Sequence, residues 1–141
     1  MTIELTKPAQ IFLAEDNNAD VWLIEEALKR QSLNYQLHHY STAMEAIRAV
    51  KKCGFDGEEI PHLLLLDYNL PGGQGLDILE AAAENPKLAD VPKAILSSFL
   101  KPDELENAVR LGASCFIAKP VNLADFLREV GTRVVGLLNF P

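Results

Sequence analysis

LLLLDYNLPGGQG, residues 63–75, sets four leucines against one carboxylate, Asp67, and then turns through Pro71, Gly72 and Gly73. A continuous apolar run suits a strand covered on both faces better than a half-exposed one. Burying an unpaired carboxylate is costly. Asp67 therefore either stands at the mouth of a site or is a capping residue that happens to follow a strand. The segments on either side decide between the two.

Upstream, AQIFLAED (residues 9–16) is a short apolar run ending in acids. NADVWLIEEALKRQ then carries Val21, Ile24, Ala27 and Leu28 at helical spacing, with Asn18 as the expected N-cap and Glu25–Lys29 as an i,i+4 pair. YQLHHY (35–40) reads as a second strand. STAMEAIRAVKKCG reads as a helix capped by Ser41 or Thr42, with Ala43, Ala46, Ile47 and Val50 inward and Gly54 as its stop. Downstream, LDILEAAAENP is a short helix, PKAILSS (92–98) a fourth strand, and KPDELENAVRLGA a helix opened by Pro102 and closed by Gly112. SCFIAKP (114–120) is a fifth strand. In NLADFLREVGTRVVGLL, Asn122 caps a last helix whose inner side is Leu123, Phe126, Leu127, Val130 and Val134.

Strand and helix thus alternate five times, which implies an α/β domain: a parallel sheet with helices on both faces. The domain is expected over residues 9–138, with an arm at 1–8 and a tail at 139–141. The net charge is -7 and no Lys/Arg run occurs, so direct nucleic-acid binding is not expected. Cys53 and Cys115 have no CxxC spacing and read as reduced thiols. No segment reaches the ~20 apolar residues of a membrane span, and the N-terminus has no secretory pattern. A cytoplasmic location follows as an expectation.

In such sheets ligands bind beyond the carboxyl ends of the strands. Asp67 ends strand three and so stands in that crevice. Strand one ends in Glu15 and Asp16, strand four in Ser97 and Ser98, strand five in Lys119 and Pro120. Three acids without Cys or His nearby favour Mg2+ over zinc, with Asp16 and Asp67 as ligands and Glu15 holding a metal-bound water. A carboxylate can attack phosphorus to give an aspartyl phosphate. Mg2+, Lys119 and the Ser97 hydroxyl would then meet the phosphoryl oxygens.

At this point the residues resemble a family. AED in strand one, LLLLDYNLPGGQG, ILSS and FIAKP together resemble the receiver domain of two-component response regulators, a phosphorelay and signal-transduction family, from about Ala9 to Leu138. The resemblance implies a flavodoxin-like (βα)5 fold with strand order 2-1-3-4-5. It implies Asp67 as phosphoacceptor, Mg2+ held by Asp16, Asp67 and the backbone carbonyl of Asn69, Glu15 in the outer shell, and Ser97 and Lys119 on the phosphoryl oxygens. It also implies a cis Lys119–Pro120 bond. No external substrate is implied; such a protein catalyses only its own phosphorylation and dephosphorylation. Glu15 stands where Asp is frequent, and Gly73 where Met is frequent, so the loop after Asp67 is expected to be looser and to lose more entropy on ordering.

Phe116 falls at the family's switch aromatic position. On phosphorylation the Ser97 hydroxyl would move in and Phe116 would fill the space, reshaping the surface of helix four, strand five and helix five. The alternative is that Phe116 is simply core. With no output domain expected, that surface would be the signal of a stand-alone regulator, or of a phosphorelay intermediate. VVGLLNFP (134–141) is apolar enough to close the core or to form a homodimer contact. EDNNADVWLIEEAL is similar to single-domain regulators paired with bacterial phytochrome-like sensor histidine kinases, with Trp22 as an exposed docking residue or partly buried core.

His38, His39 and His62 lie on or before strands and are not expected to bind metal or donate phosphoryl groups. A haloacid-dehalogenase-type phosphatase would need an acid where Asn69 stands. A flavin carrier would need a phosphate-cradling loop after strand one, where this chain is acidic. A pseudo-receiver, a binding module that never takes phosphate, has no need of Asp16, Asp67, Ser97 and Lys119 together.

Overall fold

In the strand Leu63–Asp67, Leu64 and Leu66 enter one core cluster and Leu63 and Leu65 the other, all four wholly buried. Each buried leucine contributes about 1.5–3 kcal/mol, so this strand is held from both sides and its carboxyl end is a fixed point. The computed structural model describes residues 7–139. Five parallel strands, β1 (Ala9–Ala14), β2 (Tyr35–Tyr40), β3 (Leu63–Asp67), β4 (Lys93–Ser97) and β5 (Cys115–Ala118), pair in the order β2-β1-β3-β4-β5. This is the expected flavodoxin-like order.

Helices α1 (Asn18–Arg30) and α5 (Leu123–Asn139) cover one face through Ile24, Leu28, Phe126, Val130 and Val134. Helices α2 (Ala43–Lys52), α3 (Gly75–Ala83) and α4 (Pro102–Arg110) cover the other through Ala46, Val50, Ile78, Leu79 and Ala108. No helix among the described residues is long and apolar enough to cross a membrane.

Several local expectations are corrected. Asn17, not Asn18, caps α1: its backbone is extended and its Oδ1 accepts from the Ala19 and Asp20 amides. Glu25 does not pair with Lys29. It accepts the Tyr35 hydroxyl at 2.8 Å, a tertiary bond that outcompetes a weak helical ion pair, and Lys29 reaches Glu26 instead. Leu123, the first residue of α5, is exposed, and the buried side of the helix begins at Phe126.

The cis Lys119–Pro120 bond is not found; no cis peptide occurs among the described residues. Trans is the lower-energy form, and with it Lys119 still donates its amide to Ser97 O and its ammonium to the acids. The glycine-rich segment after Asp67 takes a regular form. Asn69–Leu70 and Gly73–Gln74 form a two-stranded antiparallel hairpin, and the Gly75 amide donates to Tyr68 O at 2.8 Å.

At the far end, Val134 is buried and Leu137 and Leu138 pack on the α1/α5 cluster, so much of the apolar run closes the core; Phe140 lies outside the described residues. Phe116 is half-buried and packs against the α2/α3/α4 cluster.

Candidate functional site: an acidic crevice closed by one lysine

The register brings the site together. Ala14 pairs with Leu66 and Asp67 with Leu96, so the ends of β1, β3 and β4 come level. Glu15 and Asp16 follow β1 directly, Asp67 closes β3, and their carboxylates lie within 4.8 Å of one another. Glu15 and Asp67 are buried, while Asp16 faces solvent. From the edge strand β5, Lys119 reaches across to both buried acids. Its Nζ donates to Glu15 Oε1 at 2.6 Å, to Asp20 Oδ2 at 3.0 Å and to Asp67 Oδ2 at 3.3 Å. The other Glu15 oxygen accepts the Asn17 amide at 3.1 Å, and Asp67 Oδ1 accepts the Asn69 amide at 3.3 Å.

Burial alone would lower the Lys119 ammonium, but Glu15, Asp67 and Asp20 around it outweigh that and hold it above its ordinary value. It stays charged at any working pH. Glu15 moves the other way for a carboxyl. Burial pushes it up to about 7, against the pull of the Lys119 hydrogen bond, and neighbouring Asp67 adds to the rise. A raised folded value means that this group's stability contribution is complete below its unfolded value of 4.5 and is lost as pH climbs through about 7. With divalent ions chelated, the wild-type urea midpoint should therefore fall more steeply between about pH 5 and 8 than that of Glu15→Gln. Parallel profiles would show that Glu15 does not titrate there.

Ser97 is buried at the end of β4, and its hydroxyl donates to Phe99 O at 2.9 Å while accepting the Phe99 amide at 3.2 Å. Asn69 is exposed at the start of the hairpin. The histidines have hydrogen-bond partners of their own: His39 Nε2 meets Glu15 O, His38 Nε2 meets Gln10 Oε1, and His62 Nδ1 accepts the Gln10 amide. Trp22 is 59% exposed on α1.

Known proteins place this arrangement. The response regulator receiver domain family matches residues 11–131. The chain belongs to that family. Over 131 residues, 92% of this receiver and 89% of its relative, it is 30% identical to Response regulator Rcp1 of Synechocystis sp.. It is 31% identical over 125 residues to Two-component response regulator ARR16 of Arabidopsis thaliana, covering 80% of this chain and 73% of the plant protein. Among solved structures it resembles the phosphorylated cyanobacterial phytochrome response regulator RcpA, with TM-score 0.84, 30% identity and coverage of 94% and 96%. It also resembles the Mn(2+)-bound form of Rcp1, with TM-score 0.83, 28% identity and coverage of 95% and 97%. The expected resemblance to single-domain regulators of the phytochrome kind is thus borne out.

The acidic cluster of this receiver fits the family's divalent-metal site, for which Mg2+ is typical. Its donors are three carboxylates with no sulfur or imidazole, the hard-oxygen set such an ion prefers.

Asp20 was not among the expected site residues. Reading only the last residues of strands cannot find it, because it sits in the first turn of α1. The available signal was that α1 starts just after the acidic end of β1, so an acid in its first turn hangs over the same rim.

Proposed function

We propose that this receiver is a stand-alone response regulator whose Asp67 accepts a phosphoryl group from a phytochrome-type sensor histidine kinase. The observation that carries the reading is the contact of Asp67 with Lys119 at 3.3 Å inside a three-carboxylate cluster. An Asp67 oxygen forms a bond to phosphorus as the phosphorus–nitrogen bond of the kinase's phosphohistidine breaks, and the imidazole leaves with the electron pair. Asp16, Asp67 and the carbonyl of Asn69 would hold Mg2+, with Glu15 outside them. When bound, the ion neutralises charge on the transferring oxygens.

Lys119 supplies a permanent positive charge, and the Ser97 hydroxyl supplies a donor once it lets go of Phe99. That movement, followed by Phe116, would reshape the surface formed by α4, β5 and α5. The same surface would serve a partner or a second copy. The exposed Trp22 would contact the kinase.

The pairing is tested by phosphotransfer. An autophosphorylated phytochrome-type kinase should label the wild type and not Asp67→Asn, and faster than an unrelated histidine kinase does. Equal rates from both kinases would overturn the pairing while leaving the phosphoacceptor role intact.

A further inference from the structure

A lysine ammonium has three N–H donors. In Lys119 each faces a carboxylate, at 2.6 Å from Glu15, 3.0 Å from Asp20 and 3.3 Å from Asp67. Charge-assisted bonds of this kind usually measure about 2.7–2.9 Å, so the Asp20 contact lies just beyond that range and the Asp67 contact is the longest of the three. The ammonium is held toward the α1 side of the crevice by two rivals. They are not equivalent. The Glu15 side chain has no exposure, while the Asp20 side chain is 25% exposed. Asp20 also lies in the first turn of α1, where the helix end favours a negative charge. Of the two rivals, Asp20 is the one able to turn to water without leaving a buried charge unpaired.

We propose that Asp20 is a positioning residue that draws Lys119 away from Asp67 in the resting site, and so sets how readily Asp67 takes a phosphoryl group. The inference rests on the reading of Asp67 as phosphoacceptor. An arriving phosphoryl group brings nearly two negative charges and strong acceptor oxygens. It competes with Asp20 for the same ammonium and is repelled by the same carboxylate. Asp20 turns outward, Lys119 moves toward Asp67, and no covalent bond at Asp20 changes.

Beryllofluoride, a phosphoryl mimic, tests this by calorimetry in the presence of Mg2+. Asp20→Asn should bind it about tenfold more tightly than wild type, the scale of one charged hydrogen bond. The same variant should bind Mg2+ alone more weakly, having lost a nearby negative charge. Asp20→Glu should restore wild-type behaviour for both ligands. A merely structural role would not move the two affinities in opposite directions.

Without metal, a urea double-mutant cycle between Asp20→Asn and Lys119→Met should show coupling. Beryllofluoride affinity in Asp20→Asn that is unchanged or weaker, or zero coupling in the cycle, would overturn the proposal. Wild type that binds no beryllofluoride would end the phosphoacceptor reading and this inference together. Wild type that binds it beside an unmoved Asp20→Asn would end this inference alone.

Discussion

Lys119→Met should destabilise the metal-free protein in a strongly pH-dependent way. The substitution keeps the packing of the stem and removes the cation that Glu15, Asp20 and Asp67 share. Deleting one partner of a buried ion pair costs about 3–5 kcal/mol when the other stays charged. Glu15 has an escape, because its carboxyl already titrates at about 7 in the presence of the lysine. With the lysine gone, the Asn17 amide alone still favours the charged form, and the value rises further. At about pH 5.5 Glu15 is protonated with or without the lysine and its share of the penalty disappears; at about pH 8.5 the wild type holds a charged pair that the variant lacks, and the penalty is larger. Urea unfolding in chelator at both pH values measures this. The expected result is a larger loss at the higher pH, and added Mg2+ should recover more stability in the variant than in the wild type. An equal loss at both pH values would mean that the lysine is held by packing and not by the acids.

Gly75→Ala should damage the site from its backbone. A Cβ at this first residue of α3 would lie 2.6 Å from the carbonyl oxygen of Asp67 and 3.3 Å from Ile95 Cδ1. The nearest atom is backbone at the end of a strand buried on both sides, so it cannot step aside cheaply. Either the end of β3 or the start of α3 must move, which breaks the bond from the Gly75 amide to Tyr68 O. Overpacking of this kind costs about 1–3 kcal/mol. Because the atom pressed upon belongs to Asp67 itself, Mg2+ affinity should fall by about tenfold or more, as it does when the supports of a metal ligand are disturbed. Gly136→Ala is the control. It lies in α5 with nothing within 4 Å of its Cβ and should be neutral or slightly stabilising. Wild-type metal affinity in Gly75→Ala would show that the hairpin yields without moving Asp67.

Most of the sheet was legible because the strands announce themselves. Leu63 to Leu66 need cover on both faces, and with the strand–helix alternation around them that implies the layered fold. The rule that ligands gather at strand ends then singles out Glu15, Asp16, Asp67 and Lys119, which the structure places together. What was not legible depends on packing between elements. Asp20 joins the site from a helix, not a strand end. Glu25 is claimed by a tyrosine from β2 that helical spacing cannot see. The close approaches that Gly73 makes to Asp77 and Ala43, and Gly75 to the carbonyl of Asp67, are likewise invisible in the sequence. Periodicity gives the inward side of α5 from Phe126 onward but not for Leu123, which is exposed at the helix start.

Incubation with acetyl phosphate and Mg2+, followed by intact-mass measurement, addresses Asp67 most directly. The expected result is one added phosphoryl group on the wild type, absent when Mg2+ is chelated and absent in Asp67→Asn. An unmodified wild type, or an Asp67→Asn variant that gains the same mass, would contradict the assignment of Asp67 as the phosphoacceptor.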